Sequence, residues 1–157
     1  MVPLKRILLA EDDPNDVELT LTALAENNIA NEVHVVQDGA EALDYLFGRG
    51  AYASPRPARP VVILLDIKMP RVDGVEVLRQ IKNDDDLRVV PVVVLTSSRE
   101  ERDLVQSYRL GANAYVVKPV DFHEFVDAVR NLGVFWAMIN QPPPVRGSAP
   151  QAGGGPS

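Results

Sequence analysis

The sequence predicts an α/β fold: a doubly wound sheet of five parallel strands in the order 2-1-3-4-5. Three observations predict it. Short apolar runs alternate with segments of helical periodicity, giving βαβαβαβαβα, which requires a mainly parallel sheet with helices on both faces. One run, Val61-Val-Ile-Leu-Leu65, is unbroken, follows Pro60 and ends in Asp66, as a strand buried on both faces does. Right-handed crossovers over five strands then select that order, with a switch point between strands 1 and 3.

The elements follow in order. Residues 5–10, Lys-Arg-Ile-Leu-Leu-Ala, form a short buried strand that ends in Glu11-Asp-Asp13. Asp13 before Pro14 is a helix N-cap with proline at the first helical position. Val17, Leu21 and Leu24 give that helix an apolar face up to Asn27-Asn28. Residues 32–36 are the second strand, and Gln37-Asp-Gly39 turns into a helix over Ala40–Phe47. Residues 48–60 hold three prolines, two glycines and Arg49, Arg56 and Arg59; they read as a surface loop without an element, its arginines solubilising.

After the central strand, Asp73-Gly74 caps a helix over Val75–Lys82, with Val75, Leu78 and Ile81 inward. Asn83-Asp-Asp-Asp86 reads as a solvated loop. Val89–Leu95 is the fourth strand, interrupted near its start by Pro91 and ending in Thr96-Ser-Ser98. A mostly polar helix spans Arg99–Leu110, with Leu104, Tyr108 and Leu110 among its few apolar positions. Gly111 stops it. Ala114–Val117 is the fifth strand, ending in Lys118-Pro119. Asp121 opens a last helix with Phe122, Phe125, Val126, Val129 and Leu132 at helical spacing. The domain is expected over residues 1–140, and the Pro/Gly-rich residues 141–157 as a disordered tail. The whole is the flavodoxin-like topology.

Composition excludes several classes. The 157 residues suffice for a full core, and 46% hydrophobic with 24% charged residues is ordinary for a globular chain. A net charge of -6 disfavours nucleic acid or an anionic membrane as the main partner. With no cysteine, disulfides, thiolate catalysis and zinc-thiolate sites drop out. No apolar stretch approaches the roughly 18 residues needed to span a bilayer, and Met1-Val-Pro-Leu-Lys-Arg6 is no signal peptide. The expected location is the cytoplasm.

The strand ends carry the chemistry. Strand 1 ends in Glu11 and Asp12, strand 3 in Asp66, strand 4 in Thr96 and strand 5 in Lys118. In the predicted order these side chains converge on one crevice. Carboxylates packed together repel, and a divalent cation relieves this. A donor set of oxygens alone suits Mg²⁺, which also binds phosphate. Lys118 is a mobile charge for a phosphoryl oxygen, Thr96 a hydroxyl donor, and Asp66 a candidate nucleophile forming an aspartyl phosphate.

Ile7-Leu-Leu-Ala-Glu-Asp-Asp13, Leu64-Leu-Asp-Ile-Lys-Met-Pro70, Val94-Leu-Thr-Ser97 and Tyr115-Val-Val-Lys-Pro119 resemble the receiver domain of two-component response regulators. The resemblance covers about residues 4–138. It implies that Asp66 accepts a phosphoryl group from a phosphohistidine on a sensor histidine kinase. It implies that Glu11, Asp12, Asp66 and the backbone carbonyl of Lys68 hold Mg²⁺, with Thr96 and Lys118 on the phosphoryl oxygens. Tyr115 matches the family's aromatic switch, moving with Thr96, and a half-buried core tyrosine is the alternative reading. Lys118-Pro119 resembles a bond usually cis in the family. The longer connection at residues 48–60 and Phe135-Trp136 resemble stand-alone regulators that partner phytochrome-type kinases.

By the same resemblance helix 1 docks the kinase. The helix 4–strand 5–helix 5 face, with Arg102, Tyr108, Tyr115 and Phe122, reports the signal, and a homodimer forms through the C-terminal region. Trp136 is either core or a dimer contact. His34 and His123 lack partners at ligand spacing and read as surface or packing residues. Two other classes compete. An aspartyl-phosphate phosphatase of the haloacid dehalogenase type wants an aspartate where Lys68 stands. A phosphorylation-independent binding module would have lost part of the acidic pair, the threonine or the lysine, and all are present.

Overall fold

The computed structural model describes residues 6–26, 31–107, 109–119, 123, 124 and 127. Strand β1 (Ile7–Ala10) leads to helix α1 (Pro14–Glu26), then β2 (Val33–Val36) and α2 (Gly39–Phe47). β3 (Val62–Asp66), α3 (Gly74–Lys82), β4 (Val92–Thr96), α4 (Arg99–Ser107) and β5 (Ala114–Val117) follow. The strands form one parallel sheet, β2-β1-β3-β4-β5. The order is the predicted one.

The sheet separates two apolar layers because alternate side chains leave opposite faces of a strand. Leu8, Ala10, Ile63, Leu65, Val92 and Val94 face α2 and α3, where Leu46, Leu78 and Ile81 meet them. Ile7, Leu9, Leu64, Val93 and Leu95 face the other way and pack with Leu24 of α1. Every residue of β1, β3 and β4 is buried, whereas β2 at the sheet edge is mostly half-buried.

Capping follows the aspartates. Asp13 Oδ1 accepts from the Asn15 N–H at 2.8 Å as α1 begins. Asp38 accepts from the Glu41 N–H at 2.8 Å to cap α2, and Asp73 from the Glu76 N–H at 3.0 Å to cap α3. Gly74 is a glycine by necessity. A Cβ there would overlap the Asp66 carbonyl oxygen and lie 2.7 Å from the Ile67 Cα. The start of α3 thus packs directly on the end of the central strand.

Four local expectations are corrected. Residues 48–60 contain a 3-10 turn, Gly50–Tyr52, because Tyr52 is anchored. Its hydroxyl donates to Glu41 Oε2 at 2.8 Å and meets His34 Nε2 at 2.9 Å, while His34 stacks on Tyr45 at 4.6 Å. The arginines of this segment stay exposed and also make local contacts: Arg56 with the Leu46 carbonyl at 3.2 Å, Arg59 with Asp86 at 3.1 Å, and Arg49 over the Phe47 ring. Asp84 is not merely solvated. Its Oδ2 accepts from the Asp86 and Leu87 N–H groups and starts a 3-10 turn over Leu87–Val89, so β4 begins only at Val92. In α4 the buried apolar residue is Val105, and Leu104 is 56% exposed.

The expectations for Asn27-Asn28, Tyr108, the last helix with Phe122, Trp136 and the tail lie outside the described residues. No described helix is long and apolar enough to cross a membrane.

Candidate functional site

Parallel strands in register bring their carboxyl ends to one edge of the sheet, and five predicted residues meet there. Ala10 pairs with Leu65, Asp66 with Leu95, and Thr96 with Val117. Glu11 and Asp12 leave β1 beside the end of β3, and Lys118 leaves β5 with its N–H bonded to the Thr96 carbonyl at 2.7 Å. The Lys118–Pro119 peptide is cis.

One carboxylate oxygen from each of Glu11, Asp12 and Asp66 lies within 4.8 Å of the others. Glu11 and Asp66 are buried and Asp12 is exposed. The Lys118 ammonium lies 3.1 Å from Glu11 Oε1 and 3.5 Å from Asp66 Oδ1. Its nearest partner is Asp16, at 2.9 Å from the first turn of α1. Sequence reasoning missed Asp16. Within the helical pattern of α1 it is one polar position among several, and its partner lies 102 residues away.

The electrostatics follow from this packing. Burial, and then the neighbouring Glu11 charge, push the Asp66 carboxyl up to about 7. Burial lowers the Lys118 ammonium's affinity for its proton, but Asp16, Asp66 and Glu11 together outweigh it and hold the group fully charged. The Thr96 hydroxyl is buried with no hydrogen-bond partner among the described residues. Such a group costs free energy unless something meets it. An anionic oxygen arriving at Asp66 is a fitting acceptor for it.

Lys68 and Tyr115 are placed differently. The Lys68 N–H donates to Asp66 Oδ1 at 3.4 Å, while its ammonium turns to Glu101 at 2.9 Å. Tyr115 is half-buried against the α2–α3 layer, and burial raises its phenol pKa.

A hard divalent cation fits the Glu11, Asp12 and Asp66 oxygens. All three donors are carboxylate oxygens, and their mutual repulsion is what such an ion removes.

Three relatives bear on the site. The response regulator Rcp1 of Synechocystis sp. is 40% identical over 135 residues, covering 85% of this chain and 90% of Rcp1. Its solved Mn²⁺-bound form superposes with a TM-score of 0.68 at 37% identity, over 90% of this chain and 99% of that one. The bacteriophytochrome response regulator AtBRR is 58% identical, with a TM-score of 0.83 over 89% of this chain and 100% of its own. The cyanobacterial phytochrome response regulator RcpA, solved phosphorylated, is 41% identical, with a TM-score of 0.68 over 85% of this chain and 94% of its own. Residues 7–130 match the response regulator receiver domain. With the predicted strand order and the acidic trio at the strand ends, the chain belongs to the response regulator receiver family and stands close to the bacteriophytochrome response regulators within it.

Proposed function

We propose that this protein is a phosphorylation switch whose acceptor is Asp66. One Asp66 oxygen attacks the phosphorus of a phosphohistidine on a sensor histidine kinase. The P–N bond breaks, the imidazole leaves with the electron pair, and an acyl phosphate forms. Glu11, Asp12, Asp66 and the Lys68 carbonyl would hold Mg²⁺, which supplies charge neutralisation for the transfer. Lys118 meets one phosphoryl oxygen as a point charge, and the unpartnered Thr96 hydroxyl donates to another. As Thr96 is drawn in, Tyr115 turns with it and alters the α4–β5 face. Phosphate contacts thus bias a two-state equilibrium.

One observation carries this reading. Three carboxylates converge at the end of the central strand, with a charged lysine 3.5 Å from the acceptor. The Lys68 side chain, two residues beyond Asp66 and turned to Glu101, leaves no general acid of the phosphatase kind at that position.

The relatives' phytochrome associations support a phytochrome-type kinase as the phosphodonor, working in the cytoplasm. Helix α1 is the docking element. Its Leu19 is 51% exposed, and another part of the helix borders a cavity of about 400 Å³ between Glu11, Asp12, Val17 and Leu21. A homodimer through the C-terminal region completes the reading, and a monomer in sedimentation at high concentration, with and without phosphorylation, would exclude it.

Intact mass after incubation with acetyl phosphate tests the central claim. A single phosphoryl adduct is expected with Mg²⁺. None is expected with chelator or in Asp66→Asn. An adduct that persists in Asp66→Asn would overturn the assignment of the acceptor.

A further inference from the structure

Glu101 stands beside the acceptor without belonging to the carboxylate trio. Its Oε1 accepts from the Ser97 N–H at 2.7 Å and from the Ser97 hydroxyl at 3.2 Å, and its Oε2 lies 2.9 Å from the Lys68 ammonium. The side chain is only 10% exposed. Both donors flank Asp66. Ser97 follows Thr96 at the end of β4. Lys68 lies two residues beyond Asp66, and its backbone N–H already points at the Asp66 carboxylate. The Ile67 N–H, bonded to the Leu95 carbonyl at 3.2 Å, ties the two segments together.

A carboxylate on α4 therefore occupies an N–H and an ammonium at the rim of the site where a phosphoryl group would arrive. Burial pushes the Glu101 carboxyl up, but the Ser97 hydrogen bonds and the nearby Lys68 ammonium outweigh it and hold it below the usual range. The group is an anion in a nest of donors. The Ser98 hydroxyl accepts from the Glu101 N–H at 3.0 Å, so Glu101 also closes the first turn of α4. Capping accounts for the bond to Ser97. It does not account for the ion pair to Lys68, which crosses to the other loop.

We propose that Glu101 is a built-in competitor of the phosphoryl group, holding the Ser97 N–H and Lys68 Nζ until phosphate oxygens displace it and free the start of α4. This rests on the reading of Asp66 as acceptor. A competitor reduces the fraction of molecules ready to bind, so removing it tightens binding of a phosphoryl mimic. A mere cap does the opposite, because its loss loosens the loop that binds.

The test is titration of the full chain with beryllofluoride and Mg²⁺, read by fluorine NMR, beside thermal melts. Glu101→Ala is expected to melt lower yet bind about fivefold tighter or more. Glu101→Gln, which keeps the shape and loses the charge, falls between it and the parent. The Ser97 amide resonance of ligand-free Glu101→Ala is expected to move toward its position in the beryllofluoride-bound parent. If the parent binds, Asp66→Asn does not, and both Glu101 variants bind equally or more weakly than the parent, the competitor is overturned and the acceptor stands. If the parent itself fails to bind, the acceptor reading falls first and takes the competitor with it.

Discussion

The Lys118 ammonium lies closer to Asp16, at 2.9 Å, than to the proposed acceptor Asp66, at 3.5 Å. The lysine is thus shared between α1 and the strand ends, and its three carboxylate neighbours differ in consequence. Asp16 is partly solvated, whereas Glu11 and Asp66 are buried. Asp16→Asn leaves Lys118 paired with Glu11 and is expected to cost about 1 kcal/mol. Lys118→Met strands two buried carboxylates without their cation and is expected to cost about 3 kcal/mol. Urea unfolding in chelator checks the ranking. Equal costs would mean that Lys118 is held by Asp16 alone.

Divalent cation should act on stability through the same carboxylates. An ion that binds the folded chain through Glu11, Asp12 and Asp66 raises the melting temperature, by about 2.7 kcal/mol equivalent at a hundred times its Kd. Asp12→Asn removes the exposed ligand of the trio without disturbing the core. Thermal melts across a Mg²⁺ series are expected to show a rise in the parent and little in the variant. An identical rise in both would move the ion elsewhere.

How much of this was legible in the sequence depends on the range of the interactions. β1, β3 and β4 are buried on both faces, so each appears as an unbroken apolar run. A parallel register then aligns their ends, which is why Glu11, Asp12, Asp66, Thr96 and Lys118 could be grouped from spacing alone. Asp16 and Glu101 could not. Asp16's partner lies 102 residues away, and Glu101's ion-pair partner Lys68 lies on the loop after β3; helical pattern marks both merely as polar. β4 starts three residues later than Val89-Val90, a β-branched pair, suggests. The Asp84 cap, set by a local side chain–backbone bond, took Val89 into a 3-10 turn instead. The anchor of residues 48–60 is likewise non-local: Tyr52 reaches back to Glu41 and His34.

Gly74 offers a sharper test of how the proposed acceptor is positioned. Its missing Cβ lets α3 rest on the Asp66–Ile67 backbone. Gly74→Ala must push α3 away or shift the end of β3, and overpacking of this kind costs about 1–3 kcal/mol. Because the displaced backbone carries Asp66, the acetyl phosphate reaction is expected to slow by more than the stability loss explains. Phosphorylation rate and unfolding midpoint measured on the same variant check this. Unchanged kinetics would show that α3 yields and the acceptor does not.

His34 should give the protein a pH-dependent stability unrelated to phosphorylation. Burial between Tyr45 and Tyr52 disfavours its imidazolium, and Arg6 adds to this, so its pKa lies below the usual 6.5. Tyr52 gives its one hydroxyl proton to Glu41, which leaves it an acceptor for His34 Nε2–H. The neutral ring thus already makes this bond, and a second proton gains it nothing there. A folded pKa depressed below the unfolded one means that the stabilising contribution is complete above pH 6.5. It is lost as pH falls through the folded value. His34→Phe keeps the ring stack but cannot titrate. The stability of the parent relative to His34→Phe is therefore expected to fall between pH 7 and pH 5, while His123, present in both, cancels. Thermal melts of the pair across that range decide it. A difference that stays flat would mean that His34 titrates alike in the folded and unfolded chain, and that Tyr45 and Tyr52 hold it without excluding its charge.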